Sequence, residues 1–219
     1  MIVCKKEALR YLGYNKQNID NNTKYLLDEC IEELTGLINK KSVYKIFNIE
    51  WENEAIHLED TILHMESKDI ANHLAKSDKC ALMAASLGLE VDMKIAFYAR
   101  TNLSKSLILD ACASSAIETY CDQVEETIAM EASDKGYNIT SRFSPGYGDL
   151  DIGLQKPISQ ILETYPKMGL TVSENSIMMP RKSVTAIIGW QRGKPSTKIN
   201  KCKLCNNINC LYRKADNNE

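Results

Sequence analysis

The sequence predicts an α+β fold, in which flanking helices cover a mostly antiparallel, twisted sheet. Three observations lead there. Two long segments, 21–39 and 104–132, carry apolar residues at helical spacing. Short apolar runs at 43–49, 55–58, 80–86, 169–172 and 183–190 read as strands. The two kinds of segment do not alternate as strand and long crossover helix, which is the pattern a parallel sheet requires.

Taken in order, residues 5–12 predict a short helix stopped at Gly13. Asp20 or Asn21 caps a second helix, whose Leu26, Leu27, Cys30, Ile31, Leu34, Leu37 and Ile38 fall three and four apart on one buried face. Ser67 caps a short helix ending at Leu74. The run 80–86 is long enough for a buried strand, and Gly88 ends it. Residues 92–99 form one helix. Ser104 begins a longer one, free of Gly and Pro, that reaches Ala132 and stops before Gly136. Leu107, Leu109, Ala111 and Ile117 are expected in the core. Segment 140–153 holds Pro145, Gly146, Gly148 and Gly153, and reads as a loop of tight turns. A helix over 155–165 tolerates Pro157 in its first turn.

Composition bounds the partners. With 219 residues and 44% hydrophobic content the chain can bury a core without disulfides. A net charge of −2 gives no basic field, so neither nucleic acid nor an anionic membrane is an expected partner. No apolar run approaches the ~20 residues of a membrane span, and MIVCKKEALRYLGY lacks the apolar centre of a signal peptide. The expected location is the cytoplasm. Cys4, Cys30, Cys80, Cys112 and Cys121 are scattered and read as small core residues. His57, His64 and His73 show no metal-ligand spacing and read as surface or structural residues.

The loop reads Arg142-Phe143-Ser144-Pro145-Gly146-Tyr147. It resembles the R-x-x-P-G-Y signature of the activation domain of cobalamin-dependent methionine synthase. Glu174–Pro180, ENSIMMP, leads into Ser183-Val184 and resembles a second family segment, E-x-x-x-M-x-P before a Ser-Val strand. Asp122 and Glu126, four apart, resemble the acidic pair that the family places upstream of its arginine. The resemblance covers residues 111–190 most closely. Three departures stand. The acidic pair lies nearer the arginine than in the long enzymes, a family tyrosine beyond the Ser-Val strand has no counterpart, and no homocysteine, folate or cobalamin module is recognisable. The chain is most similar to free-standing activation units found beside shortened methionine synthases.

The resemblance implies an α+β fold of activation-domain type and binding of S-adenosylmethionine by Arg142, Ser144, Gly146, Tyr147, Asp122 and Glu126. It implies methyl transfer to a cobalamin held by a partner methionine synthase, after reduction of cob(II)alamin by a flavodoxin or ferredoxin. No catalytic side chain is expected, because cob(I)alamin is itself the nucleophile and the sulfonium carries its own leaving group. The residue chemistry agrees. A guanidinium fork suits a carboxylate, acids one helical turn apart share a face that can receive an ammonium, and glycines let backbone approach a ligand. Two plainer readings stand beside this one: a structural Arg–Asp turn, and a solvated acidic helix face. Met178 and Met179 fit a pocket wall or core packing.

Cys202, Cys205 and Cys210 form C-x-x-C-x-x-x-x-C. Zinc, an iron–sulfur cluster and a redox pair all fit this spacing, with Cys4 or another chain as a fourth ligand. The chain thus divides into an N-terminal part of the activation unit (1–100), a core binding S-adenosylmethionine (101–193) and a cysteine-containing tail (194–219). The leading expectation is an activator working in trans on a corrinoid protein. The alternative is a non-catalytic docking or regulatory module for a corrinoid methyltransferase, with a redox or metal-binding tail.

Overall fold

The structure, a computed structural model, describes residues 3–14, 17–52 and 55–193. The N-terminal helices form as their sequence predicts. Helix α1 (Lys5–Tyr11) is followed by Gly13 at φ +85°, a left-handed residue that turns the chain away. Helix α2 (Asn21–Leu37) is capped by Asp20, whose carboxylate accepts from the Thr23 N–H at 2.9 Å. Its Leu27, Cys30 and Leu34 are buried.

The strands are β1 (Lys41–Glu52), β2 (Ala55–Leu58), β3 (His64–Met65), β4 (Ser77–Ser86), β5 (Tyr137–Ile139) and, last in the chain, β8 (Ser183–Arg192). They make one sheet in the order β3-β2-β1-β4-β8-β5, and every pairing is antiparallel. A separate hairpin joins β6 (Thr171–Val172) to β7 (Met178–Met179). The predicted strand over 169–172 is therefore two residues of a side hairpin and not a sheet member. The three-residue edge strand β5 carries no periodicity long enough to read in the sequence.

Helix α3 (Lys68–Leu74) is capped by Ser67, which accepts from the Ile70 N–H at 3.1 Å. Helix α4 (Leu89–Thr101) is longer at both ends than the predicted 92–99. The long helix α5 (Leu103–Asp134) is capped by Asn102, not Ser104: the Asn102 side chain accepts from the Lys105 N–H at 3.1 Å. Asn102 is extended, with φ −155°, and this break both ends α4 and starts α5. The predicted helix over 155–165 is two, α6 (Gln155–Leu162) and α7 (Thr164–Met168). Glu163 between them is left-handed, and the Thr164 hydroxyl donates to the Leu170 carbonyl at 2.8 Å, closing the turn.

Strand alternation feeds two cores. On one face, Ala81, Met83 and Ala85 of β4 with Ala186, Ile188 and Trp190 of β8 meet α1, α2, α4 and α5. On the other, Cys80, Leu82 and Ala84 with Ile187 meet α3, α6, α7 and the β2–β3 hairpin. Strands from residues 1–100 and 101–193 thus share one sheet, with β4 against β8 at its centre.

Leu109, Ala111 and Ile117 are buried as expected, but Leu107 is exposed, because the sheet-facing stripe of α5 runs through Leu109, Cys112, Ala113 and Ala116. Cys30, Cys80, Cys112 and Cys121 are core residues, and burial pushes the last three thiols up to about 12. Cys4 departs from this expectation: it is exposed.

Candidate ligand-binding site

The site begins with one face of α5. Ser115, Glu118, Asp122 and Glu125 follow each other at steps of three, four and three, so they form one stripe along the helix. The loop after β5 lies against that stripe because its backbone is tied to β8. Thr140 N–H donates to the Gly189 carbonyl at 2.9 Å, and Phe143 exchanges two hydrogen bonds with Ile187, at 2.9 and 2.8 Å. Beneath the loop, His73 Nε2 lies 2.9 Å from the Ser141 carbonyl and 2.8 Å from the Thr140 hydroxyl. His73, read from the sequence as a surface or structural residue, here joins α3 to the loop.

This anchoring places the Arg142 guanidinium among three carboxylates of α5. Its Nη1 donates to Asp122 at 2.8 Å and to Glu125 at 2.9 Å, and its Nη2 donates to Glu118 at 3.2 Å. The Arg142 and Glu125 side chains are each 15% exposed, whereas Glu118 and Asp122 are 48% and 68% exposed. Burial opposes the charge on Arg142, but the neighbouring acids outweigh it and its pKa is raised. One positive charge thus faces three negative ones, the two outer of which meet solvent.

The structure brings together Arg142 and Asp122, both named from the sequence as ligand-binding candidates. The other two carboxylates on Arg142, Glu118 and Glu125, were not among those candidates, whereas Glu126 was. Glu126 is exposed and is not among the carboxylates that meet Arg142. Adjacent helical residues point about 100° apart, so Glu125 and Glu126 cannot share the stripe. The offsets of minus four and plus three from Asp122 were the available signal.

The rest of the loop shapes the rim. Ser144, half-buried, accepts from the Tyr147 N–H at 3.0 Å. Tyr147 is half-exposed and packs its ring against Phe143, with centroids 5.9 Å apart. Burial raises its hydroxyl pKa first, the Glu118 charge adds to this, and Arg142 opposes it. Gly146 and Gly148 have φ of +89° and +54°. At Gly148 a Cβ would collide with the Asp69 carboxylate, so glycine is required there both for its backbone angle and for space.

Asp149 clasps the loop to the start of α3. It accepts from the Ser67 hydroxyl and from the backbone N–H groups of Lys68 at 2.9 Å and Asp69 at 3.1 Å. The Ser67 bond and these amides hold its carboxyl below the usual range. A depressed folded-state pKa means stabilisation that is present above the unfolded carboxylate pKa and lost as pH falls through the folded one. Asp149→Ala is therefore expected to lower the melting temperature at pH 7 and to leave it nearly unchanged near pH 2. Thermal melts at the two pH values check this.

The N-terminal helix borders the same stripe. Cys4 N–H donates to Ser115 Oγ at 3.0 Å, and Ser115 Oγ donates back to the Cys4 carbonyl at 3.1 Å. Glu7 pairs with Arg10 at 2.6 Å, and the Arg10 guanidinium lies 4.5 Å over the Tyr11 ring. Burial raises the Tyr11 hydroxyl pKa, and the nearby Glu118 charge adds to it.

Elsewhere, His57 and His64 pair at 2.7 Å at the sheet edge, flanked by Glu52 and Glu66. Among the described residues no group of His, Cys, Asp or Glu is arranged to hold a metal ion. Cys202, Cys205 and Cys210 lie outside the described residues. Met178 packs against the second core, and Met179 is exposed. No described helix is long and apolar enough to cross a membrane.

No protein-family model matches the chain, and no curated protein does. Among solved structures it is similar to a crystal structure of the MetH reactivation domain bound to AdoHcy. The TM-score is 0.66 at 15% identity, covering 90% of this chain and 76% of that one. The mixed helices and antiparallel sheet match that domain, and the chain has the fold of the methionine synthase reactivation domain.

Proposed function

We propose that the chain binds S-adenosylmethionine at the Arg142 loop and uses it to remethylate the oxidised corrinoid of a partner, with a shortened cobalamin-dependent methionine synthase as the first candidate. The observation that carries this reading is the seating of Arg142 against Glu118, Asp122 and Glu125 beside Tyr147, in a fold whose solved counterpart is bound to AdoHcy.

The groups present fit the ligand. S-adenosylmethionine carries a carboxylate, an ammonium and a sulfonium. Arg142 offers the fork that a carboxylate takes, and the solvent-facing Asp122 and Glu118 can turn from Arg142 to the cations. Glu125, the most buried of the three acids, keeps the guanidinium in place during that exchange. Gly146, with no side chain, allows backbone to approach the ligand, and Tyr147 offers an aromatic wall.

When bound together, the sulfonium and the partner's corrinoid supply the chemistry: cobalt(I), made by a one-electron donor of flavodoxin or ferredoxin type, takes the methyl carbon, and the sulfur keeps the bonding pair. No side chain of this chain has to move a proton. Its contribution is to hold the methyl in line and to keep water out.

The test mixes the full chain, the corrinoid partner, a reductant and methyl-labelled S-adenosylmethionine. Label on the corrinoid that depends on this chain and on Arg142 is the expected result. Complex formation without label transfer, under a reductant strong enough to make cobalt(I), would instead identify a docking or regulatory module.

A further inference from the structure

Helix α3 has three faces. Ile70 and Leu74 enter the second core. Asp69 and His73, one turn apart, meet the Arg142 loop: Asp69 accepts from the Asp149 N–H at 3.2 Å, and His73 Nε2 lies 2.9 Å from the Ser141 carbonyl. Lys68, Ala71, Asn72 and Ala75 make the third face, which lines a cavity of about 1170 Å3. Trp51, 45% exposed near the end of β1, is its aromatic wall.

The cavity is acidic. Glu52, Glu66 and Asp149 line it against Lys68. A row of contacts holds two of these acids at its mouth. Glu52 Oε2 lies 3.1 Å from His57 Nε2, His57 Nε2 lies 2.7 Å from His64 Nδ1, and His64 Nε2 lies 2.6 Å from Glu66 Oε1. The Glu52 and Glu66 side chains are 74% and 78% exposed, so both can meet a further cation. A lysine placed there sets its ammonium among carboxylates and its apolar stem along the indole.

Such cations exist within the chain. Residues 194–219, outside the described residues, hold six Lys and Arg against two Asp and Glu, whereas the whole chain has a net charge of −2. They follow directly on a point beside the cavity. Ser77, two residues after Ala75, pairs with Gln191 of β8, and the Arg192 guanidinium meets Asp78 at 2.7 Å. Gly193 comes next. Lys198, five residues on, can reach roughly 17 Å from it, and Lys201 and Lys203 can reach further.

We propose that residues 194–219 dock in this cavity, with lysines of the segment between Glu52 and Glu66 and along Trp51. Charge complementarity and the nearby exit of the chain select this occupant. The proposal stands apart from the reading of the Arg142 site. It sets α3 between the docked segment on one face and the Arg142 loop on another, so the cysteine-containing segment is held against the helix that anchors the loop.

Two measurements on the full chain test this. Trp190→Phe leaves Trp51 as the one tryptophan, and acrylamide should quench it weakly. Lys198→Glu, Lys201→Glu and Lys203→Glu together should raise the quenching about twofold by uncovering the indole. Glu52→Lys with Glu66→Lys should do the same, and the two sets combined should restore the shielding, which damage to the fold by either set would not. Carbodiimide coupling of the native chain, mixed with isotope-labelled chain and read by mass spectrometry, should join lysines of the segment to Glu52 or Glu66 within one chain. Quenching unmoved by the lysine reversals would overturn the docking. Coupling only between labelled and unlabelled chains would give the cavity to a second copy, and shielding that appears only on adding the corrinoid partner would give it to that partner. Either result overturns the proposal.

Discussion

Arg142→Ala should weaken S-adenosylmethionine binding at least tenfold and abolish chain-dependent label transfer to the corrinoid. The lost contact is a charge-assisted hydrogen bond to a carboxylate, worth about 1.5–3 kcal/mol. The same change leaves Glu125, only 15% exposed, without its guanidinium. An unpaired, largely buried acid costs about 1–3 kcal/mol, so the variant should also melt earlier. Arg142→Lys separates the two effects. The ammonium still neutralises the acids and should restore most of the stability. It lacks the planar fork, so binding should remain impaired. Denaturation and calorimetry on both variants check this. Native affinity in Arg142→Ala, with the fold intact by circular dichroism, would remove the arginine from the site.

The largest expected effect on stability is at Trp190. It is 1% exposed, in the core beneath α5, and packs beside Tyr137 with ring centroids 5.8 Å apart. Trp190→Ala should cost about 3–5 kcal/mol through lost burial and the cavity left behind. Trp190→Phe should be far milder. The indole N–H is buried without a hydrogen-bond partner among the described residues. Replacing the indole by a phenyl ring removes that unsatisfied donor, whose burial costs about 1–3 kcal/mol, and this offsets part of the lost contact area. Urea denaturation of the two variants is the measurement. Equal destabilisation by Phe and Ala would show that the donor is satisfied in solution.

The sequence was most readable where one physical signal dominated. Asp20 and Ser67 cap the helices they were expected to cap, because a side-chain oxygen before an apolar run has few other uses. The loop from Arg142 to Asp149 was legible because its Pro and Gly residues break every periodic pattern around it. Legibility failed where placement depended on tertiary structure. Asn102 displaced Ser104 as the cap of α5 because the chain had to turn a corner out of α4. That Arg142 meets Glu125 could not be read from the sequence, because the loop's attachment to β8 decides which stripe of α5 the arginine reaches.

The central strands carry a consequence for how the chain finds its structure. In most sheets one side is apolar and one polar, so a strand that slips by a single residue is rejected by the pattern itself. Strand β4 offers no such protection. Ala81, Met83 and Ala85 face one core and Cys80, Leu82 and Ala84 the other, so a slipped strand would still bury apolar side chains on both sides. Discrimination must come from the ends. At one end, Ser86 lies opposite Ser183; the Ser183 hydroxyl donates to the Pro180 carbonyl at 2.7 Å, and its Oγ lies in hydrogen-bond contact with Ser86 Oγ at 2.8 Å. Both serines are buried, so misalignment would strand polar groups away from water. At the other end, Gly189 leaves room for the Ser77 hydroxyl and the Leu74 side chain, which any Cβ at that position would strike. A pair of hydroxyls and one missing side chain thus act as the alignment marks of a ribbon whose apolar interior has none.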